Sequence, residues 1–116
     1  SDYKVKNYSN QKIKAETLTL ELEKNPDIAK AVGEVKGEKK LVIFSAETEN
    51  LQENATKKLY SKNADMVVAN DVTMAGAGFN VDTNIVTLIT RSDEESLPVM
   101  SKRDVANAIL DRTIKL

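Results

Sequence analysis

The sequence contains no cysteine, no histidine and no tryptophan among its 116 residues. Without cysteine the chain has no disulfide, no thiol nucleophile and no thiolate metal site. Without histidine it lacks the commonest general base, the serine–histidine–aspartate triad and most transition-metal sites. Any chemistry that the chain performs must therefore use lysine, arginine, carboxylates, asparagine, hydroxyl groups and the backbone.

The chain also lacks an excess of charge of either sign and any long apolar run. Lys and Arg number 17 and Asp and Glu number 18, which leaves a net charge of -1. Because binders of nucleic acid or of acidic membranes are normally basic, we expect neither as a partner. The apolar runs are a few residues long, so none predicts a membrane span. No basic-then-apolar leader opens the sequence, which favours a cytoplasmic protein.

The length allows one domain or part of one. The sequence opens on Ser1-Asp2-Tyr3 without a methionine, and polar residues follow at once. We therefore expect either that a leader was trimmed or that the chain is a piece of a longer protein.

Two short apolar runs, at 41–44 and 66–69, predict a pair of strands that are buried on both faces, as in a parallel sheet. Between them, residues 50–62 place Leu51, Ala55 and Leu59 at helical spacing. The segment 41–69 is therefore predicted to form a right-handed β-α-β crossover. Two parallel strands leave such a sheet incomplete, and we expect further β-α units before Ser1.

Other elements complete an α/β fold with additional antiparallel strands. Leucines at 18, 20 and 22 alternate with polar residues and predict a strand over 17–23 with one exposed face. Asn25 is the expected N-cap of a helix whose apolar positions are 28, 31, 32 and 35. Strands are expected over 85–90 and 96–99 with a turn at 93–95, and a last helix over 101–114 that begins with a capping box.

Lys58 and Lys62 are the residues that the helical pattern makes unusual. With Leu51 set at 0°, they fall at about 340° and 20°, within the apolar arc that continues to Leu59. A lysine on such a stripe must reach solvent, pair with a carboxylate or meet an anion. The alternatives are a rolled helix with both lysines solvated, or an anion site of which phosphate is the best example.

Two further segments have the composition of anion sites. The helix start at Asn25-Pro26-Asp27-Ile28 offers backbone N–H groups and the positive end of a helix dipole. Lys12 and Lys14 lie on one side of an extended segment. The alternatives are a well-capped helix and ordinary surface lysines.

Polar residues after the second apolar run suggest that a ligand binds at this edge of the sheet. Asn70 and Asp71 follow a buried strand, where open α/β sheets collect ligands, although Asp71 can simply turn the chain. The segment around Gly76 and Gly78 fails as a dinucleotide motif, because a third glycine is missing and a strand follows it. A lid or an ordered surface loop is expected there instead.

Taken in order, these residues resemble the C-terminal half of the phosphopantothenate–cysteine ligase family. The resemblance covers nearly the whole chain. It is carried by Ser1-Asp2-Tyr3, Lys12-Ile13-Lys14, Asn25-Pro26-Asp27-Ile28, Phe44, Ala46-Glu47-Thr48-Glu49, Lys58, Lys62-Asn63, Ala69-Asn70-Asp71-Val72, Gly78-Phe79, Asp82, Asn84, Leu97-Pro98 and Ser101-Lys102.

The resemblance implies an enzyme of coenzyme A biosynthesis with a Rossmann-like three-layer fold. Bacterial members use CTP and Mg²⁺ to convert the carboxylate of 4'-phosphopantothenate to an acyl-cytidylate with release of pyrophosphate. The amine of cysteine then displaces CMP. The family is dimeric, and many bacterial members are fused behind a flavin-dependent decarboxylase, so FMN is implied only if that domain precedes this chain. On this basis residues 1–116 are the C-terminal part of a single ligase domain.

The resemblance also assigns roles residue by residue. Lys12 matches the catalytic lysine near the reacting carboxylate and the α-phosphate. Nucleotide contacts are implied for Asp2, Pro26, Asp27, Ile28, Ala29, Phe44, Lys58 and Lys62, and substrate or lid positions for Lys14, Asn70, Asp71, Gly78 and Phe79; no protein ligand to a metal is implied.

Two residues depart from the family pattern. Ala15 stands where the motif usually has a further lysine, and Ile43 where many members have glycine before Phe44. The isolated chain lacks the upstream asparagine that the family uses for the acyl-cytidylate step, so we expect it to be inactive alone. The alternatives are a non-catalytic dimerisation or nucleotide-docking module, or a different α/β enzyme that shares only the fold.

Overall fold

A computed structural model describes residues 2–76 and 80–116. Within those residues the chain forms eight strands and three helices. In chain order they are β1 (Tyr3–Val5), β2 (Leu22–Lys24), α1 (Ile28–Val35), β3 (Val42–Glu47), α2 (Leu51–Ser61), β4 (Met66–Asp71), β5 (Thr83–Asn84), β6 (Val86–Thr90), β7 (Glu94–Ser96), β8 (Met100–Ser101) and α3 (Lys102–Ile114).

The central sheet has the strand order β3-β4-β6-β7. β3 and β4 are parallel, with Val42 opposite Met66 and Glu47 opposite Asp71. β6 and β7 add to this pair as antiparallel strands. The predicted β-α-β crossover is therefore confirmed, and so is the α/β class with additional antiparallel strands. In the part of the chain that the structure describes, β3 pairs on one side only.

Helices cover both faces of this sheet and create a three-layer arrangement. On one face α2 buries Ala55 and Leu59 against Ile43, Val67, Ala69 and Ile89. On the other face α3 buries Val105 and Ile109 against Met66, Val68, Val86 and Leu88. β4 is covered on both faces, which explains why its apolar residues run without alternation. Each large apolar side chain buried in this way stabilises the fold by about 2 kcal/mol.

The start of α1 differs from the expectation by two residues. Asp27, not Asn25, is the N-cap, and its Oδ1 accepts a hydrogen bond of 2.9 Å from the backbone N–H of Lys30. Asn25 instead donates its backbone N–H to Asp2 O at 2.9 Å, which extends the pairing of β1 with β2. One half of the predicted capping box of α3 is confirmed, since the Ser101 Oγ accepts from the Asp104 N–H at 3.1 Å. The Asp104 carboxylate accepts from the Ser101 hydroxyl at 2.6 Å.

The strand predicted over 17–23 is mostly wrong. Only its last two residues belong to β2, which pairs antiparallel with β1. Leu18 and Leu20 are each 58% exposed, so neither face of the segment is covered by a described residue. An alternating pattern produces a strand only where a neighbour supplies hydrogen bonds and covers the apolar face. Residues 6–21 form no regular element, and every one of them is exposed. The radius of gyration is 17.8 Å, whereas about 13 Å is usual for a compact chain of this length.

The apolar stripe of α1 faces away from the core. Ile28 is 77% exposed and Val35 82% exposed, whereas the helix approaches the body through Ala29 and Gly33. Because these two residues are small and lie one turn apart, the backbone of α1 can come close to the backbone of the body. The helical periodicity is correct, but the packed face is the one with the smaller side chains.

The strand after β6 also lies earlier than expected. The prediction of a turn at 93–95 is wrong, because Glu94 and Glu95 pair with β6 as part of β7. The turn is closed by the Thr90 N–H, which donates to Asp93 O at 2.9 Å. β7 is an edge strand with every side chain exposed, so its acidic residues remain in water while the backbone pairs.

Candidate anion-binding site

A cleft of about 490 Å³ opens between the β1–β2 pair and the start of α1. It gathers six of the residues to which the resemblance assigns nucleotide contacts. Its lining is Asp2, Tyr3, Lys24, Asn25, Pro26, Asp27, Ile28, Ala29 and Lys62.

The N-terminus of α1 forms one wall of the cleft. Asp27 closes the first turn, because its side chain accepts the Lys30 N–H and its carbonyl accepts the Ala31 N–H at 3.0 Å. The pKa of Asp27 is held below its ordinary value first by the hydrogen bond from the Lys30 N–H and also by Lys62. The first turn of a helix carries N–H groups that have no intrahelical partner, and these favour anions.

Lys62 connects this wall to α2. It is the C-cap residue of α2, and its Nζ lies 3.3 Å from Asp27 Oδ2. The next residue, Asn63, donates its side-chain amide to Gly33 O at 2.9 Å. The end of α2 is therefore fastened to both the first and the second turn of α1.

Lys58 lies one helical turn before Lys62, and its half-exposed side chain reaches the buried polar residues Ser45 and Glu47. Its Nζ donates to Glu47 Oε1 and to Ser45 Oγ, each at 2.7 Å. Ser45 also donates to Glu47 Oε1. We call these three residues the Glu47 cluster. Burial alone would raise the pKa of Glu47, but the hydrogen bonds from Lys58 and Ser45 more than offset it and hold that pKa below its ordinary value.

Both lysines singled out by the helical pattern therefore pair with carboxylates. The sequence analysis names Glu47 only as part of the motif Ala46-Glu47-Thr48-Glu49 and does not predict its contact with Lys58. The signal was available, because strand alternation places Ser45 and Glu47 on the same face as Ile43. That face is the one covered by α2, where Lys58 projects.

The other predicted site residues lie outside the cleft. Lys12 and Lys14 are exposed on the segment 6–21. Phe44 lines a separate groove of about 450 Å³ beside α3, with Asn84, Lys102, Val105, Ala106, Ile109 and Leu110. Gly78 and Phe79 lie outside the described residues.

Asn70 and Asp71 make local contacts at the end of β4. Asn70 Oδ1 accepts the side-chain amide of Asn84 at 2.9 Å. Asp71 Oδ1 accepts the Thr73 N–H at 3.0 Å and the Thr73 hydroxyl at 2.5 Å, and these bonds hold the pKa of Asp71 below its ordinary value. Asp71 thus turns the chain, which was the alternative to a ligand role.

The described residues, 2–76 and 80–116, contain no cluster of three or more acidic side chains placed to hold a metal ion. None of the helices in these ranges is long and apolar enough to cross a membrane.

The fold and the cleft define an α/β domain with a cleft at a helix N-terminus, lined by lysine and aspartate side chains. The whole chain, residues 1–116, matches the family described as the DNA/pantothenate metabolism flavoprotein C-terminal domain, and the chain belongs to that family.

Two of the curated relatives carry the same name. The chain is 44% identical over its full length to the coenzyme A biosynthesis bifunctional protein CoaBC of Bacillus subtilis. It is 40% identical, over 95% of its length, to the protein of the same name from Vibrio cholerae. In both cases it spans 29% of the relative's length.

Solved structures agree with the fold. The crystal structure of the C-terminal domain of coenzyme A biosynthesis bifunctional protein CoaBC matches with a TM-score of 0.74 and 38% identity. The match covers 96% of this chain and 47% of that chain. The DNA/pantothenate metabolism flavoprotein from Streptococcus pneumoniae shares the fold with a TM-score of 0.69 at 24% identity, over 84% of this chain and 42% of that one.

Proposed function

We propose that this chain is the C-terminal part of a CTP-dependent ligase that joins 4'-phosphopantothenate to cysteine in coenzyme A biosynthesis. The observation that carries the proposal is the cleft at the start of α1. It brings Asp2, the segment 26–29 and Lys62 together in a member of a family whose curated relatives are named for coenzyme A biosynthesis.

The proposed reaction proceeds in two steps. The carboxylate of 4'-phosphopantothenate attacks the α-phosphorus of CTP, forms an acyl-cytidylate and releases pyrophosphate. The amine of cysteine then attacks the acyl carbon, loses a proton and displaces CMP. This chemistry depends mainly on positioning and on stabilising negative charge, for which lysines and helix N–H groups suffice. Neither histidine nor cysteine is needed in the protein.

The proposed roles are those that the resemblance implies for these residues. Lys62 and Lys58 bind the triphosphate, the helix start at 26–29 and Asp2 bind the nucleotide, and Phe44 contacts the base. Mg²⁺ would neutralise phosphate charge. Since the described residues offer no metal cluster, we expect it to enter with the triphosphate.

Lys12 is the proposed catalytic lysine, with Lys14, Asn70, Asp71, Gly78 and Phe79 as substrate or lid residues. Lys12 lies on the exposed segment 6–21. Its proposed role therefore requires that this segment move over the bound substrates. We further propose a cytoplasmic homodimer, which the exposed leucines of the same segment support.

Further sheet strands are proposed to pair with the free side of β3. Two observations support this: β3 pairs only with β4 among the described strands, and the chain covers 47% of the solved C-terminal domain. The isolated chain is accordingly proposed to bind nucleotide without turnover. FMN would belong to a decarboxylase domain upstream, which the word bifunctional in the relatives' name supports.

Two experiments test the proposal. Calorimetry with Mg-CTP and Mg-ATP should show micromolar CTP binding and weaker ATP binding to the 116-residue chain. A chimera in which this chain replaces the matching 29% of the Bacillus subtilis relative should release CMP when given CTP, cysteine and 4'-phosphopantothenate.

The result that rejects ligation is a folded chimera that releases no CMP while the parent protein does. Nucleotide binding by the chain with an inactive chimera would favour the second candidate, a nucleotide-docking module. A dimer that binds no nucleotide would favour a dimerisation module. One observation favours these two non-catalytic modules: both lysines already pair with carboxylates.

A further inference from the structure

The carboxylates that pair with Lys58 and Lys62 differ in how deeply they are buried. The Asp27 side chain is 46% exposed, whereas the Glu47 side chain is 9% exposed. An exposed carboxylate stays hydrated when its lysine moves away, so the lysine can leave at little cost. A buried carboxylate without its cation is strongly unfavourable. Lys62 can therefore leave Asp27 for an incoming anion, but Lys58 cannot leave Glu47.

The Glu47 cluster also fixes how many hydrogen bonds Lys58 has to offer. An ammonium group has three N–H donors. Two of them go to Glu47 Oε1 and Ser45 Oγ at 2.7 Å. One donor remains for another partner.

We propose that Glu47 acts through Lys58 as its buried counter-ion and limits how strongly the ammonium group of Lys58 attracts a polyphosphate. The inference rests on the proposed function, because it takes Lys58 to be a phosphate-binding residue. It goes beyond that function in making the affinity a balance between a lysine and its own buried counter-ion.

The balance predicts effects of opposite sign for the two partners. With Lys58 neutralised alone, the bare carboxylate of Glu47 repels the polyphosphate. With Glu47 neutralised alone, the full charge of Lys58 attracts it. With both neutralised, the charge of the cluster is unchanged, since the pair is neutral to begin with. A residue with a merely structural role would weaken binding in every variant.

The test is calorimetry of the 116-residue chain with inorganic tripolyphosphate, which has no base and so separates phosphate affinity from nucleotide preference. We expect Glu47→Gln to tighten binding about tenfold and Lys58→Met to weaken it about tenfold. The double variant should return to within about threefold of the wild type, a rescue that reports direct coupling.

Glu53→Gln is the matched control. It removes one negative charge from α2, the helix that carries Lys58, where Glu53 pairs with Lys57 at 2.6 Å on the exposed side. We expect no change in tripolyphosphate affinity. Circular dichroism establishes that each variant is folded, and if Glu47→Gln is not, the comparison of Lys58→Met with the double variant decides.

Several results would overturn the inference. These are unchanged or weaker binding by folded Glu47→Gln, a double variant as weak as Lys58→Met, or no tripolyphosphate binding by the wild type. If the expected pattern holds but CTP binds no better than ATP, the inference stands and the proposed nucleotide is wrong.

Discussion

The carbonyl oxygen of Lys62 lies directly against the Cα of Gly33, where a Cβ would come within 1.8 Å of it. This approach joins the second turn of α1 to the end of α2. It also brings Lys62 to Asp27 at the cleft. The geometry of the candidate site thus depends on a glycine that lies outside it.

Gly33→Ala should therefore destabilise the protein. Alanine in place of a helical glycine ordinarily stabilises by about 1 kcal/mol. Here the added methyl group overlaps backbone atoms that cannot turn away, so we expect a loss of about 2 kcal/mol in the free energy of unfolding. Urea denaturation of the two proteins measures it.

Gly37→Ala is the matched control for this substitution. A Cβ at Gly37 would meet nothing within 4 Å, but the residue has a φ of +57°. Gly37→Ala should therefore lower the free energy of unfolding by about 1 kcal/mol through backbone strain alone. A Gly33→Ala protein as stable as the wild type would contradict the close approach.

Asp65 anchors the beginning of β3, and we expect Asp65→Asn to destabilise the chain by about 2 kcal/mol. The Asp65 carboxylate accepts from Lys36 Nζ at 2.8 Å and from the Leu41 N–H at 2.7 Å. The amide keeps the shape but loses the charge that both donors use. Urea denaturation at neutral pH measures the difference.

The same carboxylate should make stability depend on pH. Burial alone would raise the pKa of Asp65, but the hydrogen bonds from Lys36 and Leu41 more than offset it and hold that pKa below 3.8. Since the folded pKa is the lower one, the stabilisation is complete above the unfolded pKa and is lost as the pH falls through the folded pKa. The wild type should have a larger free energy of unfolding than Asp65→Asn at neutral pH, and this difference should disappear as the pH falls from about 5 to the folded pKa. A difference that grows on acidification would contradict the prediction.

The central β-α-β unit could be predicted from sequence because burial on two faces leaves a simple pattern. β4 has four consecutive fully buried residues, and the helix before it repeats its apolar residues at helical spacing. The outer elements could not be predicted in this way. Leu18 and Leu20 alternate as in a strand, but no described neighbour covers them.

Part of the site could be predicted because its residues have local signatures in the sequence. The start of α1 and Lys62 have local signatures, an N-cap and a lysine within an apolar arc. The contact of Lys58 with Glu47 is not local, because it depends on how α2 is rotated above β3. Combining the strand alternation at 43–47 with the helical wheel of α2 would have predicted it.

Phe44→Ala should change nucleotide affinity without changing stability. Phe44 is 66% exposed, so its removal should alter the free energy of unfolding by less than about 0.5 kcal/mol. If the ring contacts the base, CTP should bind more weakly while tripolyphosphate binds as before. Calorimetry with CTP and with tripolyphosphate measures both affinities. An equal loss of affinity for the two ligands would show that the substitution acts through the fold and not through a contact with the base.

The proposed dimer predicts a role for the exposed leucines of the segment 6–21. Leu18 and Leu20 contribute little to the fold of a single chain, because each is 58% exposed. Leu18→Ser with Leu20→Ser should therefore leave the urea midpoint unchanged and abolish self-association in sedimentation velocity. Thr19→Ser, between them, should leave association intact. A wild-type chain that sediments as a monomer at every concentration, or a leucine variant that still dimerises, would show that this segment does not join two copies.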